Sequence, residues 1–279
     1  MEGIVLINKP CHITSRDVVN RLNHLLETKR IGHTGTLDPI ATGVLVCCIG
    51  KYTKLVNDLT ALDKEYIATI KLGIKTDTAD ITGKVIEEKK RKITKEEIDS
   101  VFKSFLGKQI QTVPKYSAIK IKGKKLYEYA RNNEEVVLPQ REVYIYKMEL
   151  INFNEETITF KTKVSKGTYI RSLIEDICKK LDTVGTMQEL IRTKQGQFSI
   201  ENAYSIKDIE EKNYKILKVE DIFNEPKIEV DEILLKKIRN GAKLPNIYNI
   251  KDKVLFYYKK ECIAIYQIIN NELKSYIQL

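Results

Sequence analysis

The chain has 279 residues and a hydrophobic fraction of 42%, which is enough for one large domain or for one domain with a small appendage. Its 48 lysine and arginine residues outnumber 38 aspartate and glutamate residues, and the formal net charge is +10. This excess favours a polyanionic partner, although a lysine-rich composition alone can also produce it.

Cysteine and histidine usage argues against two classes of small domain. The five cysteines are odd in number and include no C-x-x-C pair, and the three histidines do not cluster with them. We therefore expect neither a disulfide framework nor a zinc site, and a reducing, cytoplasmic location fits. The apolar start Gly3–Ile7 is too short for a signal peptide, and no apolar run reaches the length of a membrane span.

Apolar periodicity predicts an α+β fold with a mixed or antiparallel central sheet flanked by helices. Two capping boxes predict helix starts, because Asp17 follows Thr14, and Glu97 follows Thr94, by three residues. A third helix is predicted over Tyr169–Leu181 from apolar residues at helical spacing. Strands are predicted at Gly3–Ile7, Val44–Ile49, Tyr66–Leu72, 142–153 and 157–164.

The segment Glu220–Pro226 predicts a domain boundary. Beyond it, a short helix over about 231–239 and strands around 253–258, 261–269 and 272–278 predict a small β-rich appendage. We therefore predict a main domain over 1–225 and a small domain over 226–279. The small domain carries ten basic and six acidic residues, which suits a second contact with a polyanion or simply a solvated surface.

The stretch Gly32–Leu45 reads GHTGTLDPIATGVL and contains one carboxylate, Asp38. Glycine permits backbone angles that other residues avoid, and proline fixes its own φ, so this loop can present an acidic side chain outside regular structure. Considered alone, an aspartate before a proline is ordinary turn chemistry.

The stretch Lys115–Arg131 reads KYSAIKIKGKKLYEYAR, with six basic residues, one acidic residue and three interleaved tyrosines. Lysines pair with phosphates and tyrosines stack on unpaired bases, so the pattern is typical of RNA contact, although a solvated loop is also compatible. Gly123 indicates a turn, and we predict a hairpin or thumb-like excursion over about 111–135.

Five motifs occur in an order that resembles the TruB family of bacterial tRNA pseudouridine synthases. They are Asn8-Lys9-Pro10, the GHTGTLDPIATGVL loop, Lys64-Glu65-Tyr66, the YSAIK-x-x-GKKLYEYAR run and the GTYIRSL segment 167–173. The resemblance covers residues 3 to 200. It implies conversion of a tRNA uridine in the T-loop, at position 55, to pseudouridine.

The resemblance also implies the roles of the site residues. Asp38 matches the essential aspartate that acts at the ribose, Tyr66 the tyrosine that stacks on the flipped base, and Arg171 the arginine beside that aspartate. An arginine there would keep the carboxylate ionised and oriented. Matches to substrate-binding positions are His33, Lys9, Leu190, Tyr116, Lys120, Lys124, Lys125 and Arg131.

Several of these residues have a second interpretation that the sequence leaves open. Lys9 can support the catalytic loop, bind a phosphate or simply cap the end of a strand. Leu190 can pack near the uracil or simply belong to the core. Pseudouridylation is an isomerisation that needs no nucleotide and no metal, so we expect no cofactor. We also expect a monomer that acts on the tRNA T-stem-loop without a protein partner or a membrane.

The chain departs from the family pattern at three places. Asn8 replaces the usual aspartate, His12 the usual glycine, and Val113-Pro114 the usual Pro-Pro. The first two leave the entry to the first helix uncertain. The tail after 226 resembles the PUA-type RNA-binding module of the family weakly, best at 240–244.

Two other functions compete with the synthase hypothesis. The same basic segments would serve a non-catalytic RNA chaperone that helps tRNA fold, which would have no need of Asp38, Tyr66 and Arg171 together. The other is an archaeal-type relative that works within a guide-RNA particle, against which the short tail and the absence of lysine-rich extensions argue.

Overall fold

The computed structural model describes residues 1–132 and 134–279. The strands are β1 (Gly3–Lys9), β2 (Ile31–His33), β3 (Thr42–Ile49), β4 (Lys64–Leu72), β5 (Ile74–Thr76), β6 (Val85–Glu88), β7 (Gly107–Thr112), β8 (Lys120–Ile121), β9 (Lys124–Lys125), β10 (Gln140–Phe153), β11 (Thr157–Val164), β12 (Gly185–Gln195), β13 (Phe198–Ser199), β14 (Lys227–Glu229), β15 (Leu244–Pro245), β16 (Lys253–Tyr258), β17 (Glu261–Ile269) and β18 (Glu272–Gln278). The α-helices are α1 (Ser15–Leu25), α2 (Val56–Ala61), α3 (Lys95–Phe105), α4 (Leu126–Arg131), α5 (Ile170–Lys180), α6 (Ile206–Glu210) and α7 (Glu232–Arg239).

Nine strands form the larger sheet. Seven of them lie in the order β1-β3-β12-β4-β11-β10-β7, while β2 pairs with β3 and β13 with β12. All these pairs are antiparallel except β3 with β12, which is parallel. The mixed central sheet predicted from the sequence is therefore confirmed. The parallel pair places the strand that follows the Asp38 loop beside the strand that carries Leu190.

Helices cover the sheet where its strands present apolar residues. Helices α3 and α5 pack against β4, β10, β11 and β12 in a cluster that includes Ile70, Phe102, Phe160 and Ile174. Helix α1 packs on β1 and β3 in a separate cluster through Leu22. This arrangement leaves the first turn of α5 beside the loop that precedes β3.

Both predicted capping boxes are present. The Thr14 side chain accepts a hydrogen bond from the Asp17 amide, and the Asp17 carboxylate accepts one from the Thr14 amide. Thr94 and Glu97 make the same reciprocal pair at the start of α3. Each box satisfies two backbone donors that a helix start would otherwise leave unpaired.

The C-terminal segment forms a second sheet of five strands in the order β14-β16-β17-β18-β15. The predicted helix at 231–239 and the three predicted strands are confirmed by α7, β16, β17 and β18. This sheet packs against the first part of the chain in a cluster that joins Leu255 and Ile277 to Tyr52, Leu55 and Val219. The predicted boundary at 225/226 falls just before β14, but the division into two functional domains stays a prediction.

The basic tyrosine-rich segment folds as a hairpin followed by a short helix. Strands β8 and β9 pair across Lys122 and Gly123, both of which have positive φ (49° and 85°). Two positive φ values are the signature of a type I′ turn, which suits a two-residue hairpin loop. Within the excursion predicted over 111–135, the hairpin and α4 occupy 120–131, whereas residues 111–112 belong to β7 of the larger sheet. Residue 133 lies outside the described residues.

The departure at His12 has a structural consequence. His12 has a φ of 66°, the left-handed region that glycine enters at little cost. Its amide donates a 2.8 Å hydrogen bond to the Pro39 carbonyl next to Asp38. The backbone there follows the path that a glycine would take, so the departure affects strain and leaves the entry to α1 intact.

We predict that His12→Gly raises the free energy of unfolding by about 1 kcal/mol, because relief of about 1–2 kcal/mol of left-handed strain exceeds the entropic cost of glycine. Urea denaturation measures the change in the free energy of unfolding, as a shift of the midpoint with an unchanged dependence on urea concentration. His12→Ala is the control and should give no such gain, since alanine keeps the strain. An unchanged or lower midpoint for the glycine variant would show that His12 is not strained.

Candidate active site

Asp38 lies in the loop between β2 and β3. Helix α1 holds this loop through a hydrogen bond. The Leu37 amide donates a 2.9 Å hydrogen bond to the hydroxyl of Ser15, which is buried in the first turn of α1. The Ala41 amide donates to the Asp38 carbonyl at 3.0 Å and closes a turn. The loop backbone is therefore held on both sides of the carboxylate.

Lys9 lies beneath the same loop, fully buried at the end of β1. Its Nζ donates to the carbonyls of Pro10, Ile13 and Pro39 at 2.8, 2.7 and 3.2 Å. Burial lowers the pKa of Lys9 to about 8, although the charges of Cys11 and Asp38 oppose that shift. With its three donors directed at backbone carbonyls, Lys9 supports the loop, and the alternative of phosphate binding does not fit this geometry.

Arg171 comes to the loop from the first turn of α5. Its Nε lies 2.9 Å from Asp38 Oδ2 and its Nη2 lies 3.0 Å from Asp38 Oδ1, a side-on bidentate ion pair. Nη1 donates to the Thr78 carbonyl and Nη2 also to the Tyr116 carbonyl. The arginine side chain is 5% exposed and the aspartate side chain 29%, so the guanidinium is fixed while the carboxylate remains accessible.

The start of α5 is itself fixed by a neighbouring strand. The Gln111 amide group accepts from the Tyr169 backbone N–H at 2.7 Å and donates to the Tyr169 carbonyl at 3.0 Å. The Ser172 hydroxyl donates to the Thr112 carbonyl at 2.8 Å. These contacts determine where α5 begins and hence where the Arg171 side chain can reach.

The pKa of Asp38 is raised above its ordinary value, because burial disfavours the charged carboxylate more than Arg171 stabilises it. The negative charge of Asp80 adds to the rise. Asp80 is 8% exposed, and its Oδ1 accepts hydrogen bonds from the Thr82 amide and from the hydroxyls of Thr78 and Thr82. The carboxylate of Asp38 is thus a stronger base than an aspartate in water.

Tyr66 and Leu190 lie on adjacent strands and contribute to one apolar cluster with Leu37 and Ala41, which flank Asp38 in the chain. Tyr66 is 8% exposed and Leu190 is 6% exposed. Both interpretations of Leu190 remain compatible with this position, since a residue of the core can also line the site. The structure brings Asp38, Arg171, Tyr66 and Leu190 to one region of the sheet.

His33 is partly buried at the end of β2, and its Nδ1 accepts a 3.3 Å hydrogen bond from the Gly35 amide. Burial lowers the pKa of His33, and the positive charges of Arg192 and Arg16 lower it further. The imidazole is therefore neutral at pH 7, with Nε2 as the donor.

The basic residues of the hairpin and α4 lie against tyrosine rings. Lys124 Nζ is 4.6 Å from the ring centre of Tyr129, and Lys125 Nζ and the Arg131 guanidinium are 5.3 and 5.5 Å from that of Tyr127. Lys120 is exposed in β8, and Tyr116 contacts the site through its carbonyl. A cleft of about 1070 Å³ opens between the base of this segment and α5, and its lining includes Thr78, Tyr116 and Ser172.

Four buried polar residues of this site were absent from the sequence prediction: Ser15, Asp80, Gln111 and Arg192. Ser15, Gln111 and Arg192 each hydrogen-bond to a segment distant in the chain, as Ser15 does with Leu37 and Gln111 with Tyr169. Such contacts leave no periodic signal in the sequence.

The described parts of the chain bear on metal binding, disulfide bonding and membrane insertion as follows. In residues 1–132 and 134–279, no three histidine, cysteine or acidic side chains form a cluster suited to a metal ion. The five cysteines are free thiols. No helix in these two segments is long and apolar enough to cross a bilayer. The expected lack of a cofactor stays a prediction.

Two solved structures have the same architecture as this chain. A Cbf5-Nop10-Gar1 complex gives a TM-score of 0.72 at 24% identity over 99% of this chain and 84% of that one. An H/ACA RNP bound to a substrate RNA containing 2′-deoxyuridine gives 0.70 at 23% identity, with the same coverage. At such identities the likeness concerns the fold alone.

Sequence relatives specify the family. Residues 23–170 match the N-terminal domain of the TruB family of pseudouridylate synthases, and residues 171–235 match the tRNA pseudouridylate synthase B C-terminal domain. The tRNA pseudouridine synthase B of Fusobacterium nucleatum is 46% identical, covering 98% of both chains. That of Clostridium tetani is 45% identical, covering 96% of this chain and 92% of its own. The chain belongs to the TruB family.

We predict that Arg171→Met raises the pKa of Asp38 further. The guanidinium stabilises the ionised carboxylate, so its removal favours the protonated form and moves the titration to higher pH. NMR of the aspartate carboxyl carbon across a pH series measures the shift. Lys180→Met removes a cation from the opposite end of α5 and should leave the titration unchanged. A pKa that falls or stays constant in Arg171→Met would contradict the ion pair.

Proposed function

We propose that this protein converts a uridine of tRNA to pseudouridine, at position 55 of the T-loop, with Asp38 as the essential group at the ribose. The observation that carries the proposal is the bidentate Asp38–Arg171 pair, which joins residues 133 positions apart in a chain of the TruB family. We propose Tyr66, which shares an apolar cluster with Leu37 and Ala41 of the Asp38 loop, as the third member of the catalytic set.

The reaction balances within the substrate. The C1′–N1 bond breaks, a C1′–C5 bond forms, C5 loses a proton and N1 gains one, so no electrons are transferred and no cofactor is needed. An ionised carboxylate at the sugar can act as a nucleophile at C1′ or as a base that removes a sugar proton. Asp38 suits either role, because its raised pKa increases its basicity and Arg171 orients both of its oxygens.

A uridine in a folded T-loop must leave the stack to reach Asp38. We propose that the extruded uracil stacks on Tyr66 and packs against Leu190. His33, neutral and partly exposed, would contact the RNA beside the flipped nucleotide through its Nε2 donor. Lys9 would act only indirectly, through its hydrogen bond to the Pro39 carbonyl.

The RNA backbone would be bound by the hairpin and α4. Lys120 is exposed there, and Tyr116, Lys124, Lys125 and Arg131 combine cations with aromatic rings, which suits phosphates together with unpaired bases. Under this proposal residues 1–225 form the catalytic domain, with 111–135 as its thumb-like insertion. Residues 226–279 form a small PUA-like module that adds a second RNA contact.

The non-catalytic alternative is an RNA chaperone that binds and releases tRNA. It would use the same basic segments but has no need of a buried arginine paired with an accessible aspartate. The guide-RNA alternative is disfavoured because the relatives at 45–46% identity are tRNA pseudouridine synthases B. We propose a cytoplasmic monomer that acts on tRNA without guide RNA or partner proteins.

We predict that Asp38→Asn abolishes pseudouridine formation, with a rate loss of at least about 1000-fold, because the amide can act neither as nucleophile nor as base. Tritium release from a T-arm transcript labelled at uridine C5 measures turnover, and filter binding measures affinity. The affinity should change little, since the Arg171 cation and the basic hairpin remain.

The control for this variant is Asp182→Asn, which removes an exposed aspartate paired with Lys89 and should retain full activity. Tritium release by Asp38→Asn at the unmutated rate would overturn the assignment. Tight binding without any release from the unmutated chain would instead favour the chaperone.

A further inference from the structure

Arg192 occupies a central place between the two segments that build the site. It lies in β12, with Tyr66 of β4 opposite on one side and Gly43 of β3 opposite on the other. Arg192 is 1% exposed, and its side chain is the largest of the fully buried side chains among the described residues. The position is therefore enclosed by the strand that carries the stacking tyrosine and the strand that follows the Asp38 loop.

The Arg192 guanidinium holds both stems of that loop. Nε donates to the Val44 carbonyl at 2.8 Å, and Nη2 donates to the Gly35 carbonyl at 3.1 Å. Gly35 precedes Asp38 and Val44 follows it, so one planar group fixes the separation between the two ends of the loop. The close approach extends to the backbone, because a side chain on Gly43 would collide with the main chain of Arg192.

This buried cation has no acidic partner among the described residues, whereas Arg171 has Asp38. Burying an unpaired guanidinium costs free energy, and an apolar side chain of similar volume would stabilise the strand at least as well. A role confined to stability therefore does not account for the choice of arginine. Two rigid donors aimed at two carbonyls account for it, since they define a loop geometry that an apolar residue cannot define.

We infer that Arg192 is a positioning residue for the isomerisation: it holds the Asp38 loop at the spacing that lets the carboxylate meet Arg171 and the ribose. The inference rests on the proposed function. Arg192 does not itself contact the substrate, because its side chain is enclosed. Its loss would displace Asp38, and a displacement of about 1 Å at a reacting group can cost roughly 100-fold in rate.

The test compares Arg192→Met, Arg192→Lys and a matched control in the full chain. The control is Lys64→Met, which removes another buried cation that donates to two backbone carbonyls, those of Thr60 and Leu62, outside the Asp38 loop. Turnover at saturating T-arm transcript, RNA affinity and thermal unfolding are measured for each, and rates are taken well below the unfolding temperature.

We expect kcat to fall about 100-fold in Arg192→Met and about 10-fold in Arg192→Lys, since lysine keeps the charge but lacks the fixed pair of donors. RNA affinity should change by less than about 3-fold, because Arg192 does not touch the phosphates. The acid limb of the pH profile should move to higher pH in both, because Asp38 loses part of its contact with Arg171. Lys64→Met should lose stability and keep its kcat.

A merely structural role would lower the unfolding temperature of both Arg192 variants while the folded enzyme kept its kcat and its acid limb, and that result would overturn the inference. If Arg192→Met does not fold, the kcat of Arg192→Lys tests the positioning role alone. A wild-type kcat in Arg192→Lys leaves the proposed function standing and removes the positioning role. Failure of the unmutated protein to form pseudouridine would remove both.

Discussion

The site depends on one interaction, the bidentate ion pair between Asp38 and Arg171. Its two members are far apart in the sequence. Asp38 lies in the loop before β3, and Arg171 lies in the first turn of α5. Neither segment can place its charge alone, since the loop has no regular structure and the helix could present its arginine to solvent. The pair forms because β3 lies next to β12, and α5 packs across β12 and its neighbours.

Buried cations outnumber buried acidic residues around this ion pair. Three cations lie buried around the loop, Lys9, Arg171 and Arg192, while Asp80 is the buried acid. Lys9 and Arg192 direct their donors at backbone carbonyls of the loop and its flanking residues, which holds the loop in place. An excess of buried positive charge around a partly buried carboxylate also suits an approaching phosphate backbone.

Much of the secondary structure could be predicted from patterns among residues close together in the sequence. The capping boxes at Thr14 and Thr94 and the alternation of β4, β10 and β11 depend on residues a few positions apart, so they can be read from the chain. The identity of Asp38, Tyr66 and Arg171 came from motif order and stays a functional prediction, although the structure does pair Asp38 with Arg171. The role of Lys9 required the structure, because a lysine near a loop can face either phosphate or carbonyls.

Other features could not be predicted, and the reason is distance along the chain. Arg192 hydrogen-bonds to Val44, which is 148 residues away in the sequence, and Gln111 hydrogen-bonds to Tyr169, which is 58 residues away. Such pairs are fixed by sheet topology, which periodicity does not determine. The direction of the Asp38 pKa shift also required the structure, because the sequence does not show the burial that outweighs Arg171.

The central claim is that Asp38, oriented by Arg171, acts at the ribose of an extruded uridine. A crystal structure of the protein with a T-arm stem-loop carrying 5-fluorouridine at position 55 tests it most directly. The account predicts the modified base out of its stack and against Tyr66, the Asp38–Arg171 pair intact, and an Asp38 oxygen within about 3.5 Å of the sugar carbon that it attacks or deprotonates. A target nucleotide that stays stacked within the T-loop, or one bound with its ribose away from Asp38, would contradict it.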